Sequence, residues 1–511
     1  MPPIGNMGSR AMSHRVILIL ASIILIGSFL RIYHLGTESI WFDEAASIYG
    51  SKENLVLVVQ SSGRLHNQPP LYFVLLHFWM RLFGTSEIAV RSLSAIFGII
   101  SIFVIYQVGC QLFNWRVGLI SSFLSAISCY HIYYSQEARA YSLLQLLTLL
   151  SFSFFIKVLR TDSRRALYFA LLLLTNVCLA YTHPHGLFVI ISQNVYFLLL
   201  WNRYKRLGFW FLGVLLGTVA FFSPWIPILF ERASRIAQNF WLPEPSLKDI
   251  FYTIRDYASG NNSSIAFLMF SILCLVGLIA MRGFNGEWNR QNLLQSIKGL
   301  NRNSSLEFVE ETPLLAVWFS FPMIIPFIVS QFSAPIYFPR YTISASPAFY
   351  LLVARGISVF NRRRAVFFLI ILVSLLSLPG LRYYYSHYTK DQWRETASFI
   401  EHNSRAKDVI FTWPDNWSLA FNYYYKGNLE IFGIDKDVHD NKKIAAVLDK
   451  AIIGKERLWL VLSGGGTFYP RFLKDRFGSR SVVGEKKFFR IVEVYLFDLC
   501  LEPQQPAGCQ K

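Results

Sequence analysis

"RVILILASIILIGSFLRIYHLGTESIWFDEAAS" (Arg15–Ser47) sets a long apolar run almost directly against two adjacent carboxylates, Asp43 and Glu44. About 20 apolar residues carry a helix across a bilayer. Met1–Arg15 has no small-residue cleavage site before a short apolar core, so the run reads as an uncleaved first span. The whole chain agrees. Of its 511 residues 53% are hydrophobic and only 16% charged, and the mean hydropathy is +0.37. A soluble domain carries roughly a quarter charged residues. The aromatic share of 16% suits long lipid–water boundaries, where Trp and Tyr gather. The fold class is therefore a polytopic α-helical membrane protein.

Working outward from the first run, apolar stretches at 16–33, 88–112, 117–134, 141–158, 167–182, 186–201, 208–228, 264–281, 313–331, 342–360 and 365–380 give eleven expected spans. "QPPLYFVLLHFWMRLFG" (68–84) opens on two prolines and contains His77 and Arg81, which suits an interfacial helix. The net charge of +18 is then explained by position. Arg10 and Arg15, Arg116, Lys157 to Arg165, Arg203 to Arg206, Arg282 to Arg302, and Arg362 to Arg364 all fall on one side, the cytoplasmic one, with the N-terminus. No nucleic-acid partner is needed to account for them.

The same count places "WFDEAAS" (41–47), "YYSQEARAYS" (133–142), "YTHPHG" (181–186) and "YFPRYT" (337–342) on the other face, together with the tail. The expected domains are a transmembrane part, 1–381, with a catalytic first outer loop at 34–87, and a small extracytoplasmic α/β domain, 382–511. In the tail "KDQWRETASFIEHN" reads as a helix, and "DVIFTW", "ERLWLVL" and "FFRIVEVYLF" as one strand each. "LVLSGGGTFYPRFL" lacks the spacing of a nucleotide loop. Trp413 and Trp417 read either as a sugar-stacking pair or as core. The six cysteines form no CxxC and no Cys/His cluster, so no metal site is indicated; Cys500 and Cys509 would pair in an oxidising space.

Acids are costly inside a membrane, about 3 kcal/mol in mid-helix, so those beside spans are peripheral or functional. Asp43 starts an expected surface helix reaching to about Gln60. It reads either as the cap of that helix or as a general base facing a cavity. Glu44 is then a solvated first-turn acid or a partner in the site. Glu137 and Tyr141 are expected on one helix face at i,i+4, with Arg139 pointing away. Glu137 and Arg139 pair with each other, or serve a ligand. Arg340 is an interfacial anchor or a phosphate ligand. His183 and His185 read first as satisfied loop residues, then as ligands. Acids, arginines and histidines above a lipid-facing bundle suit a substrate with an anionic headgroup on a lipid tail. Arginine binds phosphate through a fork, and a carboxylate takes a proton from an incoming hydroxyl.

In order, "WFDEA", "HNQPPLYFVLLHFWMRLFGTSEIAVRSLSAIFG", "YYSQEARAYSLLQLL", "THPHGLFVIISQN" and "PRYTISASPAFYLL" resemble the bacterial membrane glycosyltransferases of the dolichyl-phosphate-mannose protein mannosyltransferase type, in the GT-C superfamily, family 39-like. The likeness is good over 15–230 and fainter to about 360, with "DQWRE" (391–395) familiar beyond. It implies an inverting transfer from a polyprenyl-phosphate sugar to an acceptor hydroxyl on a protein or lipid. Asp43 maps as the base and Glu44 as its partner. Glu137, Arg139 and Tyr141 border the donor, and Arg340 and His183 serve substrate binding. "HPHG" departs from the family's usual pattern, which bears on His183. Metal use varies across the superfamily, so a divalent ion is an option without clear ligands here. A bacterial inner membrane is the implied location. A flippase or secondary transporter is the alternative, although such proteins place their ionisable groups near the midplane. The catalytic expectation requires the acids and the two arginines to converge in one crevice at headgroup level.

Overall fold

The computed structural model describes residues 13–64, 68–231, 243–259, 263–279, 311–360, 362–415, 418–434, 441–463, 482–489 and 492–499. These residues belong to two compact units. One comprises 1–33, 62–75 and 91–383, and the other 34–61, 76–90 and 384–511.

In the first unit every stretch expected to cross the membrane carries helix. Among the described residues seven helices reach span length and hydropathy: His14–Ile32, Glu87–Leu112, Tyr141–Arg160, Arg165–Thr182, Trp201–Glu231, Glu311–Phe332 and Arg363–Ser386. This is an integral, multi-pass membrane protein. The remaining expected spans differ in form. Gly186–Leu199 and Ser264–Ile279 are shorter apolar helices. The stretch at 342–360 begins as a 3-10 turn, Pro339–Ala345, and becomes α-helical only over Ser346–Ser358. The stretch at 117–134 is two helices, Trp115–Ile127 and Cys129–Ser135, bent by 61°.

The bend at Ser128 has a polar cause. The Arg31 guanidinium, fully buried, donates to the carbonyls of Ser125 (2.9 Å) and Ala126 (3.1 Å), which satisfies the end of Trp115–Ile127. Ser128 Oγ then accepts from the His131 N–H at 3.1 Å and starts the next helix. Gln136 closes the other side, its amide donating to the carbonyls of Arg31 (3.0 Å) and Tyr33 (2.7 Å) at the end of the first helix. Backbone freed by the break is re-satisfied by protein, as a water-poor setting demands.

Polar contacts also join the helices of this unit. Ser151 Oγ donates to Asn176 (2.6 Å), and the Gln193 amide donates to Ser151 Oγ (2.7 Å), linking three neighbouring helices. Ser264–Ile279 and Ser346–Ser358 meet at Gly277 and Gly356, where an added Cβ would strike the carbonyls of Leu352 and Leu273. Large apolar side chains such as Leu18, Leu25, Phe209 and Phe221 face outward, as lipid requires.

The second unit contains a five-stranded sheet of order β2-β1-β3-β5-β4. Its strands are β1 (Asp408–Trp413), β2 (Ile431–Gly433), β3 (Arg457–Ser463), β4 (Val482–Phe489) and β5 (Val492–Asp498). β1 runs parallel to β2 and β3, and β5 is antiparallel to β3 and β4. The register Val409↔Leu458 and Phe411↔Leu460 aligns one face, which packs on Ile444 and Leu448 of helix Asn441–Ile452. On the opposite face Trp459 meets Phe399 of helix Trp393–Asn403. Strands covered on both sides read as unbroken apolar runs, which is why "DVIFTW" and "ERLWLVL" were legible. "FFRIVEVYLF" was expected to be one strand and is parts of two, β4 and β5, because an antiparallel return sits inside an apolar run. Trp413 is core. Trp417, the triple-glycine segment, Cys500 and Cys509 lie outside the described residues.

Candidate active site

In the second unit the first loop is bound to the start of the tail. Glu38 accepts the N–H groups of Thr389 (2.6 Å) and Lys390 (3.0 Å) and the Thr389 hydroxyl (2.8 Å). Ser39 Oγ donates to Glu395 at 2.9 Å. Arg394 donates to the carbonyls of Gly36 and Thr37, each at 3.1 Å, and pairs with Glu87 at 2.7 Å. This bonding fixes the entry to helix Phe42–Lys52.

That helix separates the two acids. Asp43 is its second residue, not its cap; Trp41 occupies the cap position. Glu44 is wholly buried and its carboxylate lies 3.3 Å from Lys390 Nζ, itself buried. It also reaches back to the Trp41 N–H at 3.5 Å. Of the two readings of Glu44, the solvated first-turn acid is thus excluded, since the carboxylate is buried beside a counter-charge. Asp43, one position earlier, is only partly buried. The surface helix expected to run to Gln60 breaks at Glu53–Asn54, where the Asn54 side chain caps a second helix, Leu55–Arg64, through the Leu57 N–H (3.0 Å).

In the first unit the other expected residues divide. Glu137 and Arg139 are buried in a turn, 136–140, that precedes helix Tyr141–Arg160. Glu137 and Tyr141 therefore do not share a helix face; Gln136 is held to the end of the first helix and the chain turns there, the Arg139 N–H donating to the Glu137 carbonyl at 2.8 Å. Tyr141, His183 and Arg340 do come together. The Arg340 guanidinium lies over the rings of Phe338, Tyr341 and Tyr141 at 4.9, 5.5 and 6.0 Å. Tyr341 is also near His183 (5.1 Å) and His185 (5.3 Å), and Tyr141 is 6.1 Å from His183.

The histidines differ in satisfaction. His183 Nδ1 accepts the His185 N–H at 3.1 Å. Both ring nitrogens of His185 are buried without a hydrogen-bond partner among the described residues. Burial pushes the His185 ring down to about 3, and burial together with His185, Arg139 and Arg340 holds His183 well below the ordinary histidine range. Neutral imidazoles can exchange hydrogen bonds with sugar hydroxyls but add no positive charge. The cations here are the arginines.

Sequence reasoning missed three residues. Lys390 had no signal, since its partner is far away in the chain. Tyr341 stood inside the quoted "PRYT" beside Arg340. Asp256, on the amphipathic helix Leu247–Ala258, has its carboxyl raised to about 6 by burial, an effect Arg255 partly opposes. No group of three His, Cys, Asp or Glu with metal-binding geometry occurs among the described residues.

Residues 67–228 match the family described as dolichyl-phosphate-mannose-protein mannosyltransferase. No curated protein sequence matches the chain. The fold is similar to that of ArnT from Cupriavidus metallidurans in the apo state, with TM-score 0.58 and 12% identity over 94% of this chain and 97% of that one. ArnT bound to undecaprenyl phosphate gives 0.56, again at 12% identity, over 95% and 98%. The archaeal oligosaccharyltransferase AglB from Archaeoglobus fulgidus, in complex with an inhibitory peptide and a dolichol-phosphate, gives 0.52 at 12% identity over 88% and 70%. At such identity these likenesses are of fold alone.

Proposed function

We propose that this chain, a glycosyltransferase of the GT-C superfamily and of the protein-mannosyltransferase type, moves a single sugar from a polyprenyl-phosphate carrier to an acceptor hydroxyl. Asp43 takes the acceptor proton. The acceptor oxygen attacks C1 of the sugar, the bond from C1 to the phosphate oxygen breaks, and polyprenyl phosphate leaves with the electron pair. One displacement inverts the anomeric carbon. Arg340, with Arg139, holds the phosphate as its charge grows, the moment at which a fixed cation lowers the barrier most. The neutral rings of His183 and His185 and the faces of Tyr141 and Tyr341 suit the uncharged sugar. Glu44 orients the helix that presents Asp43.

The observation that carries this reading is the contrast within the acidic pair. Glu44 is sealed against Lys390, while Asp43 is only partly buried on the same first turn. Two carboxylates in such different settings take different roles. The reaction takes place on the non-cytoplasmic face of a bacterial inner membrane, with the N-terminus cytoplasmic and the α/β domain outside. ArnT and AglB bound to lipid phosphates support a carrier of this class.

A panel of polyprenyl-phosphate sugars incubated with the purified protein tests the proposal. Consumption of one donor with release of polyprenyl phosphate and a new glycoside is expected. Movement of intact lipid-linked sugar across liposomes, with no new glycoside from any donor, would make the protein a flippase instead.

A further inference from the structure

Helix Phe42–Lys52 carries the acidic pair at one end and part of a separate cleft at the other. The cleft, about 480 Å³ in volume, is lined among others by Tyr49, Lys52, Glu87, Arg394, Tyr424 and Lys426, all in the second unit. That volume is in the usual range for a small-molecule site. Part of its wall is already satisfied. Glu87 accepts from Arg394 (2.7 Å) and from the Tyr424 hydroxyl (2.9 Å), and that hydroxyl accepts the Ile40 N–H at 2.7 Å.

The rest is only partly engaged, the Tyr423 hydroxyl donating to the Thr85 carbonyl at 2.6 Å. Lys52 and Lys426 are exposed, and neither ammonium forms an ion pair among the described residues, although the Lys426 backbone N–H donates to the Glu401 carboxylate. Lys52 Nζ lies 5.2 Å from the Tyr49 ring, and Lys426 Nζ donates only to the Tyr423 carbonyl, at 3.2 Å. Asn422 Oδ1, on the cleft wall, is buried with no donor among the described residues. Two unneutralised ammonium groups, an acceptor wanting a hydroxyl, and tyrosine rings beside them match a sugar that bears an anion.

Distance assigns that anion. Asp43 and Lys52 are nine residues apart on one helix, about 13 Å along its axis. The donor's phosphate must lie beside the reacting carbon, within a few ångströms of the proton acceptor, so an anion held at Lys52 belongs to the other substrate. We infer that this cleft is a subsite for an anionic sugar of the acceptor, a phosphorylated or carboxylated glycan, which rests on the transferase reading above. A peptide acceptor would call instead for a sheet edge or an apolar groove.

The test is direct binding to the full chain in nanodiscs, without donor. Glucose 6-phosphate is expected to bind saturably, glucose at least tenfold more weakly, and the double variant Lys52→Gln, Lys426→Gln to lose tenfold or more of glucose 6-phosphate affinity. Arg at both positions should restore it. Both side chains are exposed, so the variants are expected to fold normally. Equal binding of glucose, no loss in the double variant, displacement by undecaprenyl phosphate, or tighter binding of a tri-aspartate peptide would each overturn the assignment. Binding is read without turnover, so its failure removes the subsite and leaves the transferase standing. Transfer that survives loss of the Asp43 carboxylate removes the base and leaves the binding result intact.

Discussion

Glu44 and Lys390 show how much one buried pair decides. Each is at most a few per cent exposed, and each is the other's counter-charge. Glu44→Gln should cost up to about 3–5 kcal/mol, because it removes a counter-charge from a buried ammonium. Adding Lys390→Met should recover most of that loss in thermal unfolding. A double variant no more stable than the single would show that the pair is not coupled. Asp256 behaves in the opposite sense to a salt-bridged acid. Its carboxyl is raised to about 6 from an ordinary value of 3.8, so the folded chain binds more protons than the unfolded one across that window. Stability therefore falls as pH rises from about 4 to 6 and stays lower above. Asp256→Asn should flatten that slope and stabilise the protein at pH 7.5, by no more than about 1 kcal/mol since the side chain is 36% exposed and screened. Unfolding midpoints at pH 4.5 and 7.5 check this; an unchanged slope would contradict it.

At the scale of elements, apolar length was readable and breaks were not. Every stretch expected to cross the membrane carries helix among the described residues, seven of them at span length, because lipid leaves backbone polar groups no other partner. The 61° bend near Ser128 was invisible, since it depends on Arg31, nearly a hundred residues earlier, reaching the carbonyls of Ser125 and Ala126. The paired strands β1 and β3 were legible from unbroken apolar runs. Their buried lock was not: Asp408 accepts from Arg457 at 2.7 and 2.9 Å and from the Trp459 indole at 2.8 Å. Small residues in membrane helices carry a similar hidden instruction. Gly356→Val should destabilise the first unit by about 1–3 kcal/mol, because the new side chain meets the Leu273 backbone rather than a movable side chain. The same change at Gly213, which has open space around it, should be milder. Equal effects in a thermal-shift comparison would show that the glycine contact is not a packing constraint.

For the whole molecule, the ordered motifs carried the resemblance, and the family match over 67–228 falls where they are densest. The grouping of the chain was harder to see. Residues 34–61 and 76–90 belong to one compact unit with the tail, through Glu38, Ser39, Glu87 and Arg394. Nothing local in "GTESIW" announces a partner at 389–395. The acidic pair was legible as a candidate, with Asp43 as base and Glu44 as its partner by resemblance, but the burial of Glu44 against Lys390 was not, since that partner is nearly 350 residues away. The central claim is that the Asp43 carboxylate removes the acceptor proton. Asp43→Asn keeps size and shape and removes only the base. The measurement is the rate of glycoside formation by purified wild type and variant on the same polyprenyl-phosphate sugar, with donor binding read in parallel. The account predicts a fall of about 10²–10⁴-fold with donor affinity unchanged; transfer within a few-fold of wild type would contradict it.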